Sequence, residues 1–159
     1  MKNHLRLAIL MIGFLWSNPA FTADFNAGLD AAKKGDYAAA FREFEPLAQD
    51  GYFAAQNNLG VMYRKGLGVP QDYDQAVKWF TAAAQQGDGS AQLNLSLMYY
   101  NGYGVRQDHV KAHMWATTAV LNGRNPEIRD HIATEMTSAQ IVESWGLARE
   151  CVKKEYKGC

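Results

Sequence analysis

Apolar and polar positions alternate with a helical period through the middle of the chain. Ala55, Leu59, Met62 and Tyr63 recur at spacings of three and four, one apolar stripe on a helix. Gly66 ends that helix, because glycine tolerates the left-handed conformation that closes a helix end. The stretch Gly66-Leu67-Gly68-Val69-Pro70 cannot continue it. Asp72 is placed to cap a second helix, whose stripe is Ala76, Trp79, Phe80, Ala83 and Ala84, and Gly87 closes the unit.

The same order returns 36 residues later. Residues 52–87 lie over residues 88–123 without a gap and share 16 identities, where chance gives about two or three. Ala55, Gln56, Asn58, Leu59, Met62 and Tyr63 match Ala91, Gln92, Asn94, Leu95, Met98 and Tyr99. The loop residues Gly66, Gly68, Val69, Gln71 and Asp72 match Gly102, Gly104, Val105, Gln107 and Asp108, so Asp108 is a cap as well. Ala76, Trp79, Thr81, Ala83 and Gly87 complete the set against Ala112, Trp115, Thr117, Ala119 and Gly123. A worn copy precedes them at residues 24–51, where Asp36, Tyr37, Ala40, Phe44, Ala48, Gln49 and Gly51 keep the register. One helix pair cannot bury both stripes, so the copies must stack as an all-α solenoid. The repeated residues therefore belong to architecture, not chemistry.

Residues 124–159 break the period, as a capping unit should. Asn125-Pro126 opens a short helix to about Thr134. Thr137-Ser138-Ala139-Gln140 is a capping-box pattern. The helix it opens is expected to bury Ile141, Trp145, Ala148 and Val152.

Residues 1–23 stand outside this pattern. Lys2, His4 and Arg6 precede an apolar run from Leu7 to Trp16, and small residues follow. That order is a secretory signal peptide, with cleavage after Ala23 or, alternatively, Ala20. The run is too short for a transmembrane helix, and no second apolar segment follows. Without it the chain keeps 14 basic against 16 acidic side chains, a balance with no nucleic-acid footprint. Export to the periplasm or beyond makes Cys151 and Cys159 a candidate disulfide.

The pattern Ala-x3-Leu-Gly-x2-Tyr-x2-Gly-x-Gly-Val-x2-Asp-x3-Ala-x2-Trp, from Ala55 to Trp79, resembles the Sel-1-like repeat family, relatives of tetratricopeptide repeats. Val110-Lys111-Ala112-His113-Met114-Trp115 and Met136-Thr137-Ser138-Ala139-Gln140-Ile141 look like the closing module of bacterial members. The third copy departs at Ser96, where the family favours glycine, a change expected to cost little. The resemblance implies a right-handed superhelix of antiparallel helix pairs and an adaptor role. It also implies a Cys151–Cys159 disulfide, since secreted cysteine-rich relatives join cysteines with seven residues between them.

Some of those relatives are linked to β-lactam chemistry, which makes a hydrolase acting on β-lactams or peptidoglycan an alternative. No serine here has lysine three residues on, and no Gly-x-Ser-x-Gly or phosphate-binding glycine loop occurs. His109 and His113 are four apart on one helix, but no glutamate lies between them and His131 is 18 residues on. No catalytic residue, metal or cofactor is assigned. The expected function is a non-enzymatic scaffold of the bacterial envelope or secreted space, with a host-interaction factor as a further alternative.

By analogy with tetratricopeptide superhelices, the first helix of each pair lines the concave face. The facing positions are Asn57, Asn58, Val61, Arg64 and Lys65, then Asn94, Leu97, Tyr100 and Asn101, with Lys33 and Lys34 from the worn copy. Asparagine amides both donate and accept, so they suit an extended peptide backbone. The cations suit an acidic segment or a terminal carboxylate. The expected partner is a protein or peptide, with the chain itself monomeric or weakly self-associating.

Overall fold

The computed structural model describes residues 23–159; the leader expected at residues 1–23 lies outside them except for Ala23. Eight helices follow in order: α1 (Phe25–Lys33), α2 (Tyr37–Gln49), α3 (Phe53–Lys65), α4 (Tyr73–Ala84), α5 (Gly89–Asn101), α6 (His109–Leu121), α7 (Glu127–Ala133) and α8 (Ser138–Lys153). Among the described residues there are no strands. The first six helices form three antiparallel pairs stacked as an α-solenoid, and α7 and α8 close it.

Local chemistry sets the helix ends. Asp72 accepts from the Gln75 amide and Asp108 from the Lys111 amide, each at 2.9 Å. Asp24, Asp36 and Asp88 cap α1, α2 and α5 in the same way. Thr137 and Gln140 exchange both bonds of the capping box. Gly66 and Gly102 end α3 and α5 in the left-handed conformation. The glutamines at Gln71 and Gln107 then donate, at 2.8 Å, to the carbonyls of Arg64 and Tyr100, so each loop closes the helix before it.

Packing between helices rests on matched large and small residues. A Cβ added at Gly60 would lie 2.5 Å from the Phe80 ring, and one at Gly28 would lie 2.5 Å from Phe44. Phe80 and Phe44 are buried, which stabilises the fold by roughly 1.5–3 kcal/mol per side chain. The third repeat solves the same junction differently. Ser96 stands at the register of Gly60, and Ala116 at that of Phe80. Ser96 is fully buried and its hydroxyl has no hydrogen-bond partner, so its cost is electrostatic, not steric.

A ladder of buried amides runs through the stack. Gln56 donates to the Ala48 carbonyl and Gln92 to the Ala84 carbonyl, each at 3.1 Å and each reaching into the preceding repeat. Within each repeat the second amide is held in turn: Gln86 donates to Gln56 at 2.8 Å, and Asn122 to Gln92 at 2.9 Å. Gln56 and Gln92 recur because a buried amide must be satisfied. Tyr156 terminates the ladder by donating to Asn122 at 2.9 Å, with its ring against Gly87.

The cap departs from expectation in its orientation. α8 buries Ser144, Ala148 and Cys151, while Trp145 is 50% and Val152 38% exposed. The reason lies in α6, on which α8 packs. His113 and Met114 of α6 are buried, whereas Lys78, the register equivalent of Met114, is exposed on α4. Small residues on α8 permit this close approach, and the bulky ones turn outward.

Cys151 and Cys159 are joined, with Cα atoms 5.4 Å apart. The bond folds residues 154–158 back along α8, with Glu155 and Tyr156 at positive φ, and so presents Tyr156 to Asn122. Serine at both positions is expected to cost about 2–3 kcal/mol by loop-closure entropy, read as a lowered urea midpoint. Non-reduced protein is expected to show no alkylatable thiol by mass spectrometry.

Candidate functional site

The first helices of the pairs carry the expected binding residues, and the structure divides these into two groups. Asn94 donates to Asn57 at 3.0 Å, a bond between α5 and α3 that ties adjacent repeats together. Asn58 donates to the Ala54 carbonyl and Asn101 to the Leu97 carbonyl, each at 2.8 Å within its own helix. Val61 and Leu97 are half-buried, and Val61 packs against the central core. These side chains are partly committed inside the fold. Lys34 and Lys65 are exposed, and Lys33, also exposed, pairs with Asp30 at 3.3 Å. Arg64 is half-buried, and its Nε is buried without a hydrogen-bond partner.

Tyr100, the register equivalent of Arg64, sits in a cluster that the sequence did not disclose. Its hydroxyl donates to Glu135 at 2.6 Å and lies 3.4 Å from His131 Nε2. The His109 ring lies 5.3 Å away, and its Nε2 is 4.0 Å from Glu135. The hydrogen bond to Glu135, then burial, then the charge of Glu135 raise the Tyr100 pKa above the ordinary phenol value. The phenol therefore stays a donor at neutral pH. An open groove of about 750 Å³ adjoins the cluster, lined in part by Arg106, Asp108, His109, Lys111 and Gln140. Glu135 was missed because it lies just beyond α7, where no repeat offers a register.

The structure separates the histidines considered as ligands. His113 points away from His109 and is bonded to Ser144 on α8, with Nδ1 2.7 Å from Oγ. Among the described residues, no three His, Cys, Asp or Glu side chains gather in a geometry that holds a metal.

The Ser144–His113 pair also bears on hydrolysis. The Ser144 hydroxyl donates to the Ile141 carbonyl at 2.7 Å. Its single proton is thereby used, so Nδ1 of His113 carries a hydrogen and donates to Oγ. That polarity is the reverse of a base activating a nucleophile. Both residues are sealed from solvent, at 0% and 2% exposure.

Burial, then the charge of Arg129, holds the His113 pKa below its ordinary value, and Asp130 opposes them in part. The unfolded chain takes up this proton near pH 6.5, and the folded protein only at lower pH. Stability is therefore expected to be unaffected by this group above pH 6.5 and to fall as pH drops from 6.5 through the folded value. Urea unfolding at pH 7.5 and 5.0 measures the loss. His113→Asn should reduce that pH dependence.

This arrangement defines a class: an α-solenoid whose helix pairs are stacked through small residues and buried amides. The Sel1 repeat family matches residues 53–88 and 89–123. Among the solved structures that share the fold are these two. One is a protective antigen of uropathogenic Escherichia coli described as displaying an SLR fold, with 32% identity over 82% of this chain and a TM-score of 0.76. The other is a Sel1 repeat protein from Oxalobacter formigenes, with 28% identity over 80% of this chain and a TM-score of 0.66. The chain spans 29% of the first protein and 55% of the second. No curated protein matched the chain. The chain carries two Sel1 repeats, a fold that is typically a scaffold for protein interaction. No helix among the described residues is long and apolar enough to cross a membrane.

Proposed function

We propose that this protein is an exported, non-enzymatic scaffold that holds a protein or peptide partner on the face formed by α1, α3 and α5. The observation that carries the reading is the contrast between constant and variable positions. The amide ladder, the caps and the loop glutamines repeat with the 36-residue period. On the first-helix face the copies diverge, Arg64 against Tyr100 and Lys65 against Asn101. Residues released from architectural duty are where recognition is written. Half-buried Arg64, beside exposed Lys65, favours an acidic or carboxylate-bearing segment.

Export is supported by the basic-apolar-small order of residues 1–23 and by the Cys151–Cys159 disulfide. Likeness to a protective antigen favours a location open to the exterior, and with it a host-interaction role.

Cross-linking in envelope and culture-supernatant fractions, followed by capture of the chain, tests both parts. The expected result is a discrete protein partner whose capture drops about tenfold or more in an Arg64→Ala, Lys65→Ala, Asn101→Ala triple variant. A folded triple variant that retains its partner moves the site off this face. A chain confined to the cytoplasm ends the export reading.

A further inference from the structure

The outer face of α8 is apolar and uncovered. Val142 is 65%, Trp145 50% and Val152 38% exposed, and Leu121 at the end of α6 is 61% exposed beside them. Val142, Trp145, Arg149 and Val152 are spaced three, four and three residues apart, a seam along one side of the helix. A shallow groove of about 350 Å³ runs along it, between α6 and α8. Monomeric proteins seldom leave such a contiguous patch open without use.

We propose that this seam pairs with the same seam of a second copy, the two α8 helices antiparallel about a two-fold axis that crosses the seam at the height of residue 147 along the helix. The sequence is self-complementary only in that arrangement. It sets Val142 opposite the second copy's Val152, apolar against apolar. It also sets Trp145 opposite the second copy's Arg149, a cation over an indole face, twice per dimer. Within one chain Arg149 forms no ion pair or cation–ring contact among the described residues. Parallel pairing would instead stack Arg149 on Arg149, a like-charge repulsion.

Gly146 is a second, independent sign. It lies in the middle of α8, where glycine costs roughly 0.5–1 kcal/mol relative to alanine. A Cβ added there meets nothing within 4 Å, so no neighbour in the chain explains the glycine. It lies at the edge of the seam, one turn from Val142 and from Arg149, and lets a second helix approach closely. The seam is compact, so the dimer sits at the low end of stable interfaces, near about 1,200 Å² buried in total.

Sedimentation velocity of the disulfide-bonded chain from about 1 to 300 μM tests the proposal. The expected result is a monomer–dimer equilibrium within that range. Val142→Glu should weaken it about tenfold or more while leaving helix content, and the thermal midpoint of the dilute monomer at about 1 μM, unchanged. Adding Val152→Lys to Val142→Glu should restore association, because antiparallel pairing places each glutamate opposite a lysine. Three results would each overturn the proposal. They are a monomer at every concentration, a Val142→Glu variant that dimerises like the parent, and a double variant that stays as weak as Val142→Glu alone.

Discussion

Gly60→Ser and Phe80→Ala are each expected to destabilise the protein strongly, and together by clearly less than their sum. The Gly60 backbone lies flat against the Phe80 ring, and an added Cβ would come within 2.5 Å of two ring carbons. Phe80 is 0% exposed and enclosed by Ala76, Ala83, Ala84 and their neighbours, so it cannot swing away. Overpacking of this kind costs about 1–3 kcal/mol. Phe80→Ala opens a cavity instead and costs about 3–5 kcal/mol. In the double variant the serine enters the space the ring has left, and a coupling of about 1–2 kcal/mol is expected. The third repeat already carries this combination as Ser96 and Ala116. Its unpartnered hydroxyl indicates that Gly60→Ala with Phe80→Ala will be more stable than the serine version. Urea unfolding of the four proteins closes the cycle. Strict additivity would mean that Gly60 and Phe80 do not constrain one another.

Gly104→Ala is expected to cost more than 3 kcal/mol, about as much as losing a buried aromatic ring. Gly104 has a φ of +66°, and an added Cβ would lie 2.5 Å from the Tyr73 carbonyl oxygen and 2.6 Å from its carbonyl carbon. The obstacle is backbone at the start of α4. It gives way only if α4 shifts against the loop that joins α5 to α6. Gly68 stands in the same relation to Tyr37, one repeat earlier. Gly123 provides the control. It has a φ of +81° and nothing within 4 Å of an added Cβ. Gly123→Ala should therefore carry only the left-handed penalty, about 1–2 kcal/mol. The difference between the two variants isolates the contact from the conformation. Equal losses would show that the close approach to Tyr73 contributes nothing.

These two cases mark what the sequence makes legible. The period, the helix ends and the loop glycines all follow from rules that act within a few residues. A second copy of each rule, 36 residues away, removes ambiguity. The face of α8 was not legible, because apolar residues occupy more than half its circumference from Ile141 to Val152. Hydrophobicity alone favoured Trp145 and Val152, but closeness of approach decided for Ser144, Ala148 and Cys151. A signal was present on the other side of the contact, where Met114 replaces Lys78. The Tyr100 cluster is legible only in part. Tyr100 stands out as a divergent position, but His131 and Glu135 reach it from 31 and 35 residues away, in and just beyond a helix without periodicity. For the same reason, the first-helix asparagines looked free in sequence, although Asn57 and Asn94 hold one another.

The amide ladder also bears on how such a protein changes length. Each rung takes its carbonyl from the repeat before and its second amide from its own repeat, and only Tyr156 closes the end. A duplicated 36-residue unit inserted between Gly87 and Asp88 would meet the same carbonyl, the same glutamine and the same glycine contacts on both sides. The terminal tyrosine and its disulfide would remain in place as the stop. Lineages can thus lengthen or shorten this molecule by unequal recombination while every junction stays chemically familiar, and the length of the face formed by its first helices becomes a heritable variable.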